Sequence, residues 1–104
     1  MLAKSRRLRA AEVREVLARG RGRRGQALSS KVLQTAEPFR CAVVVSKKIA
    51  KTAVQRNRLR RAVYRALAEA SLPHTGHAIL FVQSVPKTDL TRVFSTELTT
   101  LLHV

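Results

Sequence analysis

Aromatic side chains are scarce in this sequence, which has no tryptophan, one tyrosine and three phenylalanines among 104 residues. A core built from it must therefore be filled mostly by Leu, Val, Ile and Ala. The single cysteine, Cys41, excludes an internal disulfide and any multi-cysteine zinc site. It lies in an apolar run, where a buried, inert thiol is expected. Acids number only six and are scattered, which argues against a carboxylate cluster holding two metal ions. Of the three histidines, His74 and His77 are three apart but fall in a Pro/Gly turn, a spacing that fixes no pair of ligands on one face. No apolar run approaches the roughly 18 residues of a membrane span, so no membrane partner is expected. No signal-peptide core follows the basic N-terminus. Residues 1–20 share the Arg-rich, amphipathic character of organellar transit peptides, but Glu12 and Glu15 are atypical of these, and a cytoplasmic protein is expected.

Positive charge is abundant instead. There are 21 Lys and Arg, giving a formal net charge of +15. A chain so charged repels itself, and its natural partner is a polyanion. The charge is unevenly placed. Nine basic residues lie from Lys4 to Arg24, and nine more from Arg40 to Arg65 with no acid among them. From Ala66 onward two bases, Lys87 and Arg92, face three acids, Glu69, Asp89 and Glu97. The first two-thirds should thus build the polyanion site and the last third complete the core. The length fits one domain, residues 1–104.

Hydrophobic periodicity gives the elements. Val13, Val16 and Leu17 at i, i+3, i+4 predict a short helix ending near Gly20, with that glycine in a left-handed cap. Gly20–Gly25 reads as a basic loop. Gln26–Gln34 and Phe39–Ser46 read as strands, joined by a turn at Thr35–Pro38. Cys41–Val45 is a continuous apolar run, typical of a strand covered on both faces. A basic loop, Ser46–Lys51, leads into a helix from about Thr52 to Ala70. His77–Gln83 reads as another buried strand, Val85–Asp89 as a turn, and a last helix follows, capped by Asp89 or Thr91. The order is α-β-β-β-α-β-α if Gln26–Gln34 contributes two pieces, and α-β-β-α-β-α if not. Either is an α+β arrangement with helices packed on a sheet.

The long helix carries the chemistry. Leu59, Ala62, Val63, Ala66, Leu67 and Ala70 fall on one arc. Asn57, Arg58, Arg61 and Arg65 fall on the other, with Arg60 at the border and Arg56 on the apolar side near the start. Five arginines without a compensating acid disfavour an isolated helix, since like charges at i, i+4 cost a few tenths of a kcal/mol, roughly, per pair. Ordinary exposed faces alternate charge sign, and this one does not. Phosphates would compensate it, because guanidinium forks bind phosphate oxygens in pairs. Ser46 beside Lys47 could suggest a nucleophile pair, but a strand end crowded with cations fits phosphate binding better. No two helices are joined by a short turn, which argues against a helix-turn-helix DNA binder.

Val43-Val44-Val45-Ser46-Lys47-Lys48, followed by Ala53-Val54-Gln55-Arg56-Asn57-Arg58-Leu59-Arg60-Arg61 and then Arg65, resembles the signature of the bacterial ribonuclease P protein subunit. Arg7-Leu8-Arg9, Val13 to Gly20, His77–Val82, Pro86 and Leu90-Thr91 extend the resemblance over nearly the whole chain. It implies an α-β-β-β-α-β-α sandwich with a left-handed βαβ crossover, like a ribosomal-protein domain. It implies two partners, the catalytic RNA of ribonuclease P and the 5′ leader of precursor tRNA, and a role in endonucleolytic 5′ maturation of tRNA. Catalytic magnesium ions would be held by the RNA, with no cofactor bound by the protein alone and no catalytic residue on it. Carried over by position, Arg56, Asn57, Arg58, Arg60, Arg61 and Arg65 would contact the RNA, with Lys47, Lys48 and Lys51 beside them. Val13, Leu17, Ser30, Val43 and Val45 would line the leader cleft, between the first helix and the sheet. The family often carries aromatics where Val13 and Leu17 stand, and at Ser30, so here the cleft lacks its usual stacking platforms. A structural RNA binder of ribosomal type shares the charge pattern and is the alternative reading.

Overall fold

The computed structural model describes residues 7–102, and Lys4 and His103 lie outside them. Seven elements follow in the order α1 (Ala10–Arg19), β1 (Arg21–Arg24), β2 (Leu28–Pro38), β3 (Arg40–Val44), α2 (Ala53–Glu69), β4 (Thr75–Val82) and α3 (Leu90–Leu101). The sheet has the order β1-β2-β4-β3, with β1–β2 and β2–β4 antiparallel and β3–β4 parallel. This is the α-β-β-β-α-β-α order, with α2 as the crossover between the parallel pair. Ahead of α1 the chain runs beside the free edge of β3, where Leu8 N donates to the Cys41 carbonyl at 3.1 Å.

The third strand does not come from Gln26–Gln34, which stays in one piece. It comes from the basic segment Arg21–Arg24, expected as a loop. All four of its residues are exposed, so no apolar alternation marks it, and charged edge strands of this kind resist further pairing. Thr35–Pro38 likewise extends β2 instead of forming a turn. Gly20 caps α1 with an extended backbone (φ −70°, ψ 154°), not a left-handed one, because the chain passes straight into β1. A positive φ occurs instead at Gly76 (108°), where β4 begins. Asp89 is the N-cap of α3, accepting from Arg92 N at 3.3 Å.

Side chains alternate across the sheet, and the register fixes which face each takes. Leu28, Val32, Cys41, Val43, Ala78, Leu80 and Val82 point to one face and form the core with Leu59, Val63, Leu67, Phe94 and Leu98 of α2 and α3. On the other face α1 packs on β2 and β4; Val16 and Ile79 there are both fully buried. At one end, Glu97 of α3 accepts from Ala27 N and Leu28 N at 2.9 and 3.1 Å, tying the β1–β2 turn to the helix. A Cβ at Gly25 would overlap that carboxylate and come within 2.8 Å of the Leu28 carbonyl oxygen, a backbone atom, so the close approach favours glycine here.

Candidate nucleic-acid interface

The basic surface is built outward from α2. Thr52 caps the helix through a reciprocal pair: its hydroxyl accepts from Gln55 N at 3.1 Å, and its own N–H donates to the Gln55 amide oxygen at 3.4 Å. The burial of Leu59, Ala62, Val63, Ala66 and Leu67 then sets the rotation of the helix. Asn57, Arg58, Arg61 and Arg65 are left exposed, and with Val54 they line one shallow groove. Just upstream, the Ser46 carbonyl accepts from Ile49 N and Ala50 N at 3.1 and 3.2 Å. That turn holds Lys47 and Lys48 exposed at its tip, and Lys51 is exposed beside the cap.

Two of the arginines are engaged within the protein. Arg56 Nη1 donates to the Ala50 and Lys51 carbonyls, both at 3.1 Å, so it pins the loop that carries the lysines. Arg60 Nη1 donates to Asn57 Oδ1 at 2.7 Å, which orients the asparagine along the exposed face.

The sheet face under α1 is the second surface. Val13 and Leu17 lie on α1, partly buried and 44% exposed respectively. Ser30, Val43 and Val45, expected to line the same cleft, turn their side chains to the opposite face of the sheet. Ser30 is 2% exposed and donates to the Leu101 carbonyl of α3 at 3.1 Å, and both valines are in the α2/α3 core. The reason is the two-residue period of a strand, in which a shift of one position sends every side chain through the sheet. Their neighbours Ser29, Lys31, Ala42 and Val44 take the cleft face instead. Lys31 Nζ donates to the Leu17 carbonyl at 2.9 Å, closing one wall. Val44 leaves 39% of its surface exposed on the floor.

The whole-chain comparison decides the family. Residues 2–103 match the family model described as Ribonuclease P. The chain belongs to the ribonuclease P protein family. It is thus a protein subunit of ribonuclease P, a ribonucleoprotein of tRNA processing. Solved structures share its fold. The ribonuclease P protein from Thermotoga maritima is 18% identical, with a TM-score of 0.77, over 94% of this chain and 96% of that one. The Staphylococcus aureus ribonuclease P protein is 22% identical, with a TM-score of 0.74, over 98% and 90%. No curated protein matches the sequence.

One ionic cluster in this ribonuclease P protein was not foreseen. Glu12 of α1 accepts from Arg9 N at 2.8 Å through one carboxylate oxygen. Through the other it accepts from Arg40 Nη1 at 2.9 Å, and His77 Nε2 lies 3.6 Å from that same oxygen. The Arg9 backbone bond, with Arg40 assisting against partial burial, holds the Glu12 carboxyl below its ordinary pKa. Glu12, Glu37 and His77 come within 4.8 Å of one another, a geometry that can suit a metal. Arg40 already bonds Glu12 and lies 3.7 Å from Glu37, so the group is a set of ion pairs fastening α1 to the sheet. His77 meets these acids, while His74 is exposed and outside the cluster. Glu12 and Arg40 are 28 residues apart; the register of β3 against β4 sets Arg40 beside His77, and the packing of α1 on the sheet brings Glu12 to both. Among the described residues no helix is long and apolar enough to cross a membrane.

Proposed function

We propose that the α2 face binds the catalytic RNA of ribonuclease P, and that the surface between α1 and the sheet binds the 5′ leader of precursor tRNA. The observation that carries the first half is one-signed exposure. Asn57, Arg58, Arg61 and Arg65 stand in one groove, flanked by Lys47, Lys48 and Lys51, with no acid anywhere from Arg40 to Arg65. Such a surface neutralises phosphates and releases their counterions. The second half rests on a partly apolar floor rimmed by cations, which suits an unpaired strand better than a duplex.

In this reading the RNA performs the hydrolysis and holds the magnesium ions. The protein stabilises the RNA fold and positions the substrate. Its own residues supply charge, orientation and shape, and none acts as acid, base or nucleophile. The test compares precursor tRNA with mature tRNA, each bound to the RNA alone and to the RNA with this protein. The leader should tighten binding only when the protein is present. Equal affinities for both tRNAs in the holoenzyme would remove the leader from the proposal.

A further inference from the structure

The chain has four aromatic rings, and three of them are committed elsewhere. Phe39 and Phe94 are buried in the core. Tyr64 packs against that core from α2 with the Arg7 guanidinium over its ring, 5.8 Å from the centroid. Phe81 is different. It is partly exposed, lies outside the core cluster, and its register places it on the sheet face that carries α1. Across that face the strands align Arg24, Ser29, Phe81 and Val44 in one row.

Three of these residues, Arg24, Ser29 and Phe81, line a groove of about 320 Å³, which Lys31 and Gln83 also line. Gln83 Nε2 donates to Ser29 Oγ at 2.8 Å. That bond uses neither the Gln83 amide oxygen nor the Ser29 hydroxyl proton, so the pair can still offer an acceptor and a donor to a base edge. Arg24 and Lys31 supply charge on either side. An aromatic ring, a hydrogen-bonding pair and flanking cations are what a single unpaired nucleotide needs.

We infer that Phe81 is the base-stacking platform of this protein, and that Arg24, Ser29, Phe81 and Gln83 form a subsite for one unpaired nucleotide of single-stranded RNA. The inference rests on the leader reading above and adds to it where on the cleft a base is gripped. A strand ring thereby takes the place of the aromatics absent from Val13 and Leu17 of α1.

Two measurements on the assembled holoenzyme test it. Precursor tRNAs carrying 5-iodouridine at single leader positions are irradiated, and the adduct is mapped by peptide mass spectrometry. One leader position should give an adduct on Phe81, and adducts found only elsewhere, or none, would overturn the subsite. In parallel, Phe81→Leu keeps the apolar volume but removes the ring. It should weaken leader-dependent binding by roughly tenfold, the order of one stacked base, while Phe81→Tyr restores it and binding of mature tRNA is unchanged. If Phe81→Leu leaves the leader dependence intact, the subsite is wrong and the cleft reading stands. If the wild-type holoenzyme itself shows no leader dependence, the cleft reading fails and the subsite with it.

Discussion

At the residue scale, Glu12 shows how a single side chain holds the cleft in shape. It belongs to α1, caps that helix through Arg9 N, and reaches the sheet through Arg40. Its carboxyl titrates below the ordinary value of 4.5 in the folded protein. A lowered folded pKa means the charged form stabilises the fold above the ordinary value, and that this contribution disappears as pH falls through the lower one. Glu12→Gln keeps the cap geometry and removes the charge. The variant should be less stable than the parent at pH 7, with the gap closing below about pH 4.5. Urea midpoints at several pH values would measure it. A gap that persists unchanged to pH 3 would mean that Glu12 contributes shape and not charge.

Arginine identity alone does not give an arginine's task. Arg56 and Arg58 are two apart in one run, yet Arg56 bonds two loop carbonyls while Arg58 is exposed in the groove. Helical periodicity puts Arg56 on the apolar side of α2, which foreshadows the difference. Its acceptors, the Ala50 and Lys51 carbonyls, cannot be read from side-chain patterns, because they are backbone atoms of a turn.

At the scale of elements, α2 is the most legible part of the chain. Its stripe of Leu59, Val63, Ala66 and Leu67 repeats at helical spacing, and Thr52 and Gln55 have the spacing of a capping box. The least legible is β1. Arg21–Arg24 carries no apolar residue, since both its faces meet water, and only pairing with β2 makes it a strand. The cleft lining is hidden for another reason. The run from Cys41 to Val45 has no polar residue to mark a face, so nothing local says whether Val43 or Val44 looks toward α1. The packing of α2 settles it, and α2 lies beyond the end of the strand. Phe81 is hidden in the same way inside the run from Ala78 to Val82.

The α2 face makes a prediction of its own. Replacing Arg58, Arg61 and Arg65 with Ala should weaken RNA binding and flatten its salt dependence. The slope of log K against log salt should fall by roughly 0.7–0.9 for each phosphate that the protein no longer neutralises. Arg56→Ala should instead lower thermal stability and change the slope less than any of the other three. Titrations over a range of salt, with melting curves beside them, separate the two. An unchanged slope in the triple variant would mean that these side chains only face solvent.

For the whole molecule, the governing quantity is the net charge of +15 on 104 residues. Six acids cannot offset it, and several are already used in ion pairs and caps such as Glu12, Glu97 and Asp89. The free protein should be marginal at low salt and gain stability from anions that occupy the phosphate sites. Sulfate or phosphate should raise its melting temperature above that in chloride at matched ionic strength. A melting temperature indifferent to the anion would count against a preformed phosphate site. On the proposed reading, binding RNA would discharge the α2 surface and stabilise the protein that presents it.

The subunit role is tested outright by cleavage of precursor tRNA at low magnesium by a bacterial ribonuclease P RNA, with and without this protein. Strong stimulation by the protein, with no cleavage by the protein alone, is the predicted result. Tight binding to the RNA without stimulation would contradict it, and would make this chain a structural RNA binder instead.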